Sequence, residues 1–161
     1  MKKIKAVFFD LDHTLWDFDR NSEEAIRELV ENLKLVEKGV PDMEAFMNVY
    51  RQINHEMWDA YHRHEISKAE LRVGRFSKSL EKFGISNADL SEKMASGYLE
   101  ISPYKTNLFP GAKETLGYLK EKYSLHIITN GFREVQYIKI KKSGLSEFFE
   151  GIHSPFPGFD V

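Results

Sequence analysis

Residues 4–14 read Ile4-Lys5-Ala6-Val7-Phe8-Phe9-Asp10-Leu11-Asp12-His13-Thr14, a short run of β-forming apolar residues that ends abruptly in two carboxylates. A strand apolar on both faces suits the inside of a parallel sheet. The polar turn after it, Asp10 to Thr14, then falls at a carboxyl end, where open α/β sheets place their ligands. A second run of this kind, Leu125 to Thr129, leads into Asn130-Gly131, and a third strand is expected within Phe148 to Ile152.

Helices fill the space between the first two strands. Asn21 to Leu35 carries Ile26, Leu29, Val30 and Leu33 on one face, and Asn21 with Glu24 has the spacing of an N-terminal cap. Pro41-Asp42 opens a second helix, with Phe46, Val49, Tyr50, Ile53, Met57 and Tyr61 as its stripe. Ser67 to Glu70 is a capping box for a third helix that stops at Gly84, and a fourth runs from about Asn87 to Ile101. Then the pattern alternates. Pro110 opens a helix bearing Leu116 and Leu119; Arg133 to Lys142 is another, stopped by Ser143-Gly144. The expectation is an α/β fold with a parallel, doubly wound sheet whose first βα unit is split by inserted helices.

The composition suits a folded domain: 161 residues, 42% hydrophobic and 30% charged. With 23 basic and 25 acidic residues the formal net charge is −2, so no basic field recommends a nucleic acid polymer as partner. The absence of cysteine excludes a disulfide framework, thiolate zinc sites and a cysteine nucleophile, and goes with a cytoplasmic location. No apolar run approaches the roughly 20 residues a membrane span needs. Met1-Lys2-Lys3-Ile4-Lys5 precedes only Ala6 to Phe9 as an apolar stretch, too short for an export signal.

Two carboxylates two residues apart past a buried strand are costly unless solvated, paired or metal-bound. Their repulsion favours a divalent cation, and hard oxygen donors suit Mg²⁺, which bridges carboxylates to phosphate. One carboxylate can act as nucleophile and its neighbour as general acid and base. The second turn offers the Thr129 hydroxyl, the Asn130 amide and close backbone approach at Gly131, donors suited to a phosphoryl group. Either turn alone reads first as a solvated loop; the two together, each at the end of a strand in one split sheet, favour the chemical reading. His55, His62 and His64 lack a clean helical metal spacing and read as surface residues. Trp16, Phe18, Trp58 and Tyr61 can stack on a base or pack in a core.

Phe8 to Leu15 resembles the first motif of the haloacid dehalogenase-like (HAD) superfamily, and Ile127-Ile128-Thr129-Asn130-Gly131-Phe132 resembles its second. The inserted helices resemble the superfamily's cap, and Phe109-Pro110-Gly111-Ala112 also matches. Trp58-Asp59-Ala60-Tyr61 and Gly74-Arg75-Phe76 look most like the pyrimidine 5′-nucleotidase subgroup. The resemblance implies a Rossmann-like core from residues 1–15 and 104–161 and a helical cap from 16–103. It implies an Asp10 nucleophile forming an aspartyl-phosphate, and Asp12 as acid and then base. Mg²⁺ would bind the Asp10 side chain and the Asp12 carbonyl, and Thr129 and Asn130 the phosphoryl oxygens. Trp58 and Tyr61 would face the substrate, a phosphorylated small molecule and in this subgroup a nucleotide. Dehalogenases of the superfamily generally lack the second aspartate, so Asp12 favours phosphoryl chemistry.

The family continues after its third strand with a Lys-Pro motif and an acidic motif. Here Gly151-Ile152 is followed by a tail to Val161 without lysine, and its lone Asp160 lacks a strand context. That departure reads as a frameshift or premature end, and implies a chain that is poorly active and prone to associate. Lys139, Lys141 and Lys142 read as the solvated basic end of their helix. The competing readings are a phosphosugar phosphatase or mutase on the same core, and a catalytically impaired fragment.

Overall fold

The computed structural model describes residues 4–153; Met1 to Lys3 and the tail from Ser154, including Asp160, lie outside the described residues. The order is β1 (Ala6–Phe9), α1 (Phe18–Asn32), α2 (Met43–His62), α3 (Lys68–Glu81), α4 (Ala88–Ile101), α5 (Ala112–Lys120), β2 (Ser124–Ile128), α6 (Arg133–Lys142) and β3 (Gly151–His153). All three strands are parallel in the order β1-β2-β3, with Phe9 opposite Ile127 and Ile127 opposite Ile152.

Both crossovers step the same way across the sheet. Right-handed connections therefore put α5 and α6 on one face. That face holds the core: Leu125 and Ile127 of β2 meet Ala112 and Leu116 of α5 and Ile140 of α6, with Val7, Phe9 and Ile152 packed alongside. The opposite face carries Phe8 and Ile128, 54% and 50% exposed. Phe8 stacks there on His126, their ring centroids 5.0 Å apart. The expectation that β1 is buried on both faces is corrected, because the two helices expected to wrap the sheet lie on the same side. The third strand also begins later than expected. Ser146–Phe148 forms a 3-10 turn, and pairing starts at Gly151 opposite His126.

The chain divides into two compact units, residues 1–22 with 101–161 and residues 23–100. In the helical unit Asp42 caps α2 at Ala45 N–H, Ser67 and Glu70 form the capping box of α3, and Asn87 accepts from Leu90 N–H. Gly84 ends α3's connection with φ 74°, a conformation that favours glycine. Phe46, Tyr50 and Phe76 stack in the core of this unit. Among the described residues no helix is long and apolar enough to cross a membrane.

The first helix starts earlier than its sequence suggests. Asp17 accepts from Arg20 N–H, so α1 begins at Phe18 and Asn21 lies within it. Asn21 is fully buried; its Nδ2 donates to Asn107 O at 2.8 Å, and its Oδ1 accepts from Asn107 N–H at 3.0 Å and Asn107 Nδ2 at 2.7 Å. The residue that looked like a cap instead ties the outgoing chain to the returning one. Asn21→Ala removes all three bonds and should cost about 2 kcal/mol of stability, read as a lowered urea midpoint with an unchanged slope.

Candidate active site

The turn after β1 is shaped by one carbonyl. Leu11 O accepts from Leu15 N–H and Trp16 N–H, both at 2.9 Å, while His13 N–H donates to Trp16 O at 3.1 Å. Folding back so tightly puts His13 at φ 60°, in the left-handed region. Trp16 is fully buried in the α/β unit's core, and its Nε1 donates to Lys105 O at 3.0 Å. It belongs to that core and is closed to base stacking.

This turn presents Asp10 and Asp12 differently. Asp10 Oδ1 accepts from Leu11 N–H at 2.8 Å. Partial burial pushes its carboxyl above the ordinary aspartate value; the Leu11 hydrogen bond opposes this, and the Asp12 charge adds to it. Asp10 Oδ2 takes no hydrogen bond from a described residue. Asp12, by contrast, is held at both oxygens. Lys139 Nζ donates to Oδ1 and Gln136 Nε2 to Oδ2, each at 2.8 Å.

Both donors come from α6. Lys139 is 4% exposed, with its ammonium 4.1 Å from the centroid of the Trp16 ring. The expectation of a solvated basic end is therefore corrected for Lys139: a carboxylate and an aromatic face compensate its burial. Gln136 is fully buried and also donates to Thr129 Oγ1 at 2.7 Å. Gly131 N–H donates to the same Oγ1 at 3.2 Å. A hydroxyl has two lone pairs and one proton. With two donors on Thr129 Oγ1, its own O–H is left for an acceptor. A Cβ on Gly131 would collide with the Gln136 amide, so glycine is what lets this side chain lie under the turn.

Asp10, Asp12 and Thr129 are thus brought to one end of the sheet. Asn130 lies beside them and is exposed, whereas Thr129 is buried. Trp58 and Tyr61 stand on α2 in the helical unit, packed edge to face with centroids 5.8 Å apart. Among the described residues no three carboxylate or histidine groups cluster as a metal site. The oxygens present still suit Mg²⁺, which needs few protein ligands. Asp10 Oδ2 is open, and Asp12 has its main-chain carbonyl while its side chain is engaged elsewhere.

Gln136 and Lys139 are the site residues the sequence reading missed. They lie three apart on α6, on the face that carries buried Ile140. A polar pair on an inward face was the available signal. It was masked because Val135, Tyr137, Ile138 and Ile140 spread apolar residues around the helix.

A parallel sheet with paired aspartates after its first strand and Thr-Asn-Gly after its second is the arrangement of a class of hydrolases with an inserted helical region. The profile of the haloacid dehalogenase-like hydrolases matches residues 4–157, and the chain belongs to that family. It is 33% identical over 149 residues to the pyrimidine 5′-nucleotidase PynA of Streptococcus pneumoniae, covering 92% of this chain and 60% of the relative. It is 29% identical over 171 residues to the glyceraldehyde 3-phosphate phosphatase of Pyrococcus furiosus, covering 98% and 65%. The crystal structure of the HAD-hydrolase YfnB of Bacillus subtilis, bound to magnesium, matches with a TM-score of 0.83 at 27% identity, over 95% of this chain and 64% of that one. The chain spans 60% of the length of PynA and 62% of that of YfnB.

The two aspartates should respond oppositely to neutralisation. Asp12→Ala leaves Lys139 buried without its carboxylate and should destabilise the protein by about 3 kcal/mol. Asp10→Asn removes a charge whose ionised form partial burial disfavours. Since the folded-state carboxyl is raised, that charge opposes folding near neutral pH, and the variant should be at least as stable as the parent. Urea unfolding of both variants at pH 7 checks the pair.

Proposed function

We propose that this chain hydrolyses phosphate monoesters through an aspartyl-phosphate on Asp10, and that its substrate is a nucleoside 5′-monophosphate. One observation carries the chemistry: Asp10 keeps an open oxygen, while Asp12, two residues on, is held at both of its oxygens. The nucleotide rests on the likeness to PynA, together with Trp58 and Tyr61 on α2.

In this reading Asp10 Oδ2 attacks phosphorus and the ester P–O bond breaks. The leaving alkoxide takes a proton from Asp12. Water then returns a proton to Asp12 as its oxygen attacks phosphorus. The aspartyl–phosphate bond breaks, freeing inorganic phosphate and restoring Asp10. The Thr129 O–H and the Asn130 amide donate to the phosphoryl oxygens. When bound, Mg²⁺ would be held by the Asp10 carboxylate and the Asp12 carbonyl, and would neutralise charge between nucleophile and phosphoryl group. The core would come from residues 1–15 and 104–161, with residues 16–103 as the cap. A cytoplasmic location, with no membrane or nucleic acid polymer as partner, goes with this reading.

A second reading, a sugar-phosphate phosphatase, is favoured by the likeness to the glyceraldehyde 3-phosphate phosphatase. The purified protein should release phosphate from pyrimidine nucleoside monophosphates faster than from hexose phosphates or glyceraldehyde 3-phosphate. Turnover should stop with EDTA and return with Mg²⁺. Asp10→Asn should abolish it without loss of structure, since unaided monoester hydrolysis is too slow to conceal the defect. Preference for sugar phosphates selects the second reading. Full turnover by Asp10→Asn removes both.

A further inference from the structure

Residues outside the two motifs hold the motifs together. Gln136 and Lys139, three apart on one face of α6, are 0% and 4% exposed and donate to the two oxygens of the same carboxylate. Gln136 reaches Thr129 with the same nitrogen, so one amide spans the ends of β1 and β2. Lys139 is fixed from a second side by the rings of Trp16 and Phe18, with centroids 4.1 and 5.3 Å from its ammonium. Two buried donors leave the Asp12 carboxylate little freedom to rotate.

We infer that Gln136 and Lys139 are positioning residues for phosphoryl transfer, fixing Asp12 as the acceptor of the proton from the hydrolytic water, with Gln136 also directing the Thr129 O–H toward the phosphoryl group. The inference rests on the proposed function above. In this reading each acts through Asp12 or Thr129 and takes no part in bond changes at phosphorus. The Thr129 part follows from hydrogen-bond polarity. An amide nitrogen only donates, as does Gly131 N–H, so the hydroxyl they share can only donate onward.

The two half-reactions separate this role from a merely structural one. p-Nitrophenyl phosphate has a leaving group that departs without a proton, so formation of the aspartyl-phosphate from it does not need Asp12. Its breakdown by water does. In rapid-mixing experiments with this substrate and Mg²⁺, Lys139→Met should release a stoichiometric burst of p-nitrophenolate at the parent rate. Turnover should then be about 10²-fold slower, the scale expected when a catalytic group is misplaced by about an ångström. Gln136→Met should slow turnover more than it slows the burst, because the Thr129 O–H it directs serves both half-reactions, and Lys139→Arg, which keeps a charged donor, should restore most of the turnover.

Unchanged steady turnover in both Met variants would overturn the inference. So would an equal fall of burst and turnover, which marks damage to the fold. The Asp10→Asn control keeps the levels apart. If that variant still turns over, the underlying reading fails; if it is inert while the Met variants behave as the parent, only the inference does.

Discussion

The ion pair between Lys139 and Asp12 is the constraint on which the rest of the sheet end depends. An ammonium at 4% exposure is strongly disfavoured unless a partner compensates its lost hydration. Here the compensation comes from a carboxylate on the β1 turn and from the face of Trp16. Satisfying this one group fixes α6 against that turn. It also brings Gln136, one helical turn earlier, beneath Thr129, and the close fit of that amide calls for glycine at 131. The Thr-Asn-Gly turn and the paired aspartates are thus held by a common set of bonds although 117 positions separate Asp12 from Thr129.

The same end of the chain explains how a helical unit can interrupt a βα connection. The outgoing and returning segments are joined before they part. Asp17 N–H donates to Asn107 O, Phe109 N–H donates to Leu15 O, and Trp16 bridges Leu108 in antiparallel fashion. Asn21 and Asn107 continue the join. An insertion whose ends are held this close adds little closure cost however long it grows, since loop entropy rises only slowly with length. The α/β unit can therefore keep its strand register while residues 23–100 form a core of their own.

Much of the fold was legible because its signals are local. The capping box at Ser67, the Asp42 cap, the glycine stops at 84 and 144 and the span of α6 all stand where their residue types place them. What escaped was set by distant partners. Asn21 has the composition of a cap, yet it bonds across 86 positions to Asn107. Phe8 has the hydropathy of a core residue but lies on the face that neither crossover helix covers. At the site, the Asp-x-Asp and Thr-Asn-Gly turns stood out because each follows a short apolar strand. Lys139 was not, because a lysine near a helix C-terminus has a ready solvated explanation, and only the tertiary fold brings Trp16 and Asp12 to it.

The chemistry assigned to this network turns on where the phosphoryl group goes. The protein would be mixed with a phosphate monoester and Mg²⁺, quenched in acid during turnover and mapped by peptide mass spectrometry. A phosphoryl adduct on Asp10, absent from Asp10→Asn, is the predicted result. Turnover with the phosphoryl group on another residue, or with no covalent adduct under conditions that make breakdown rate-limiting, would contradict an Asp10 nucleophile backed by a clamped Asp12.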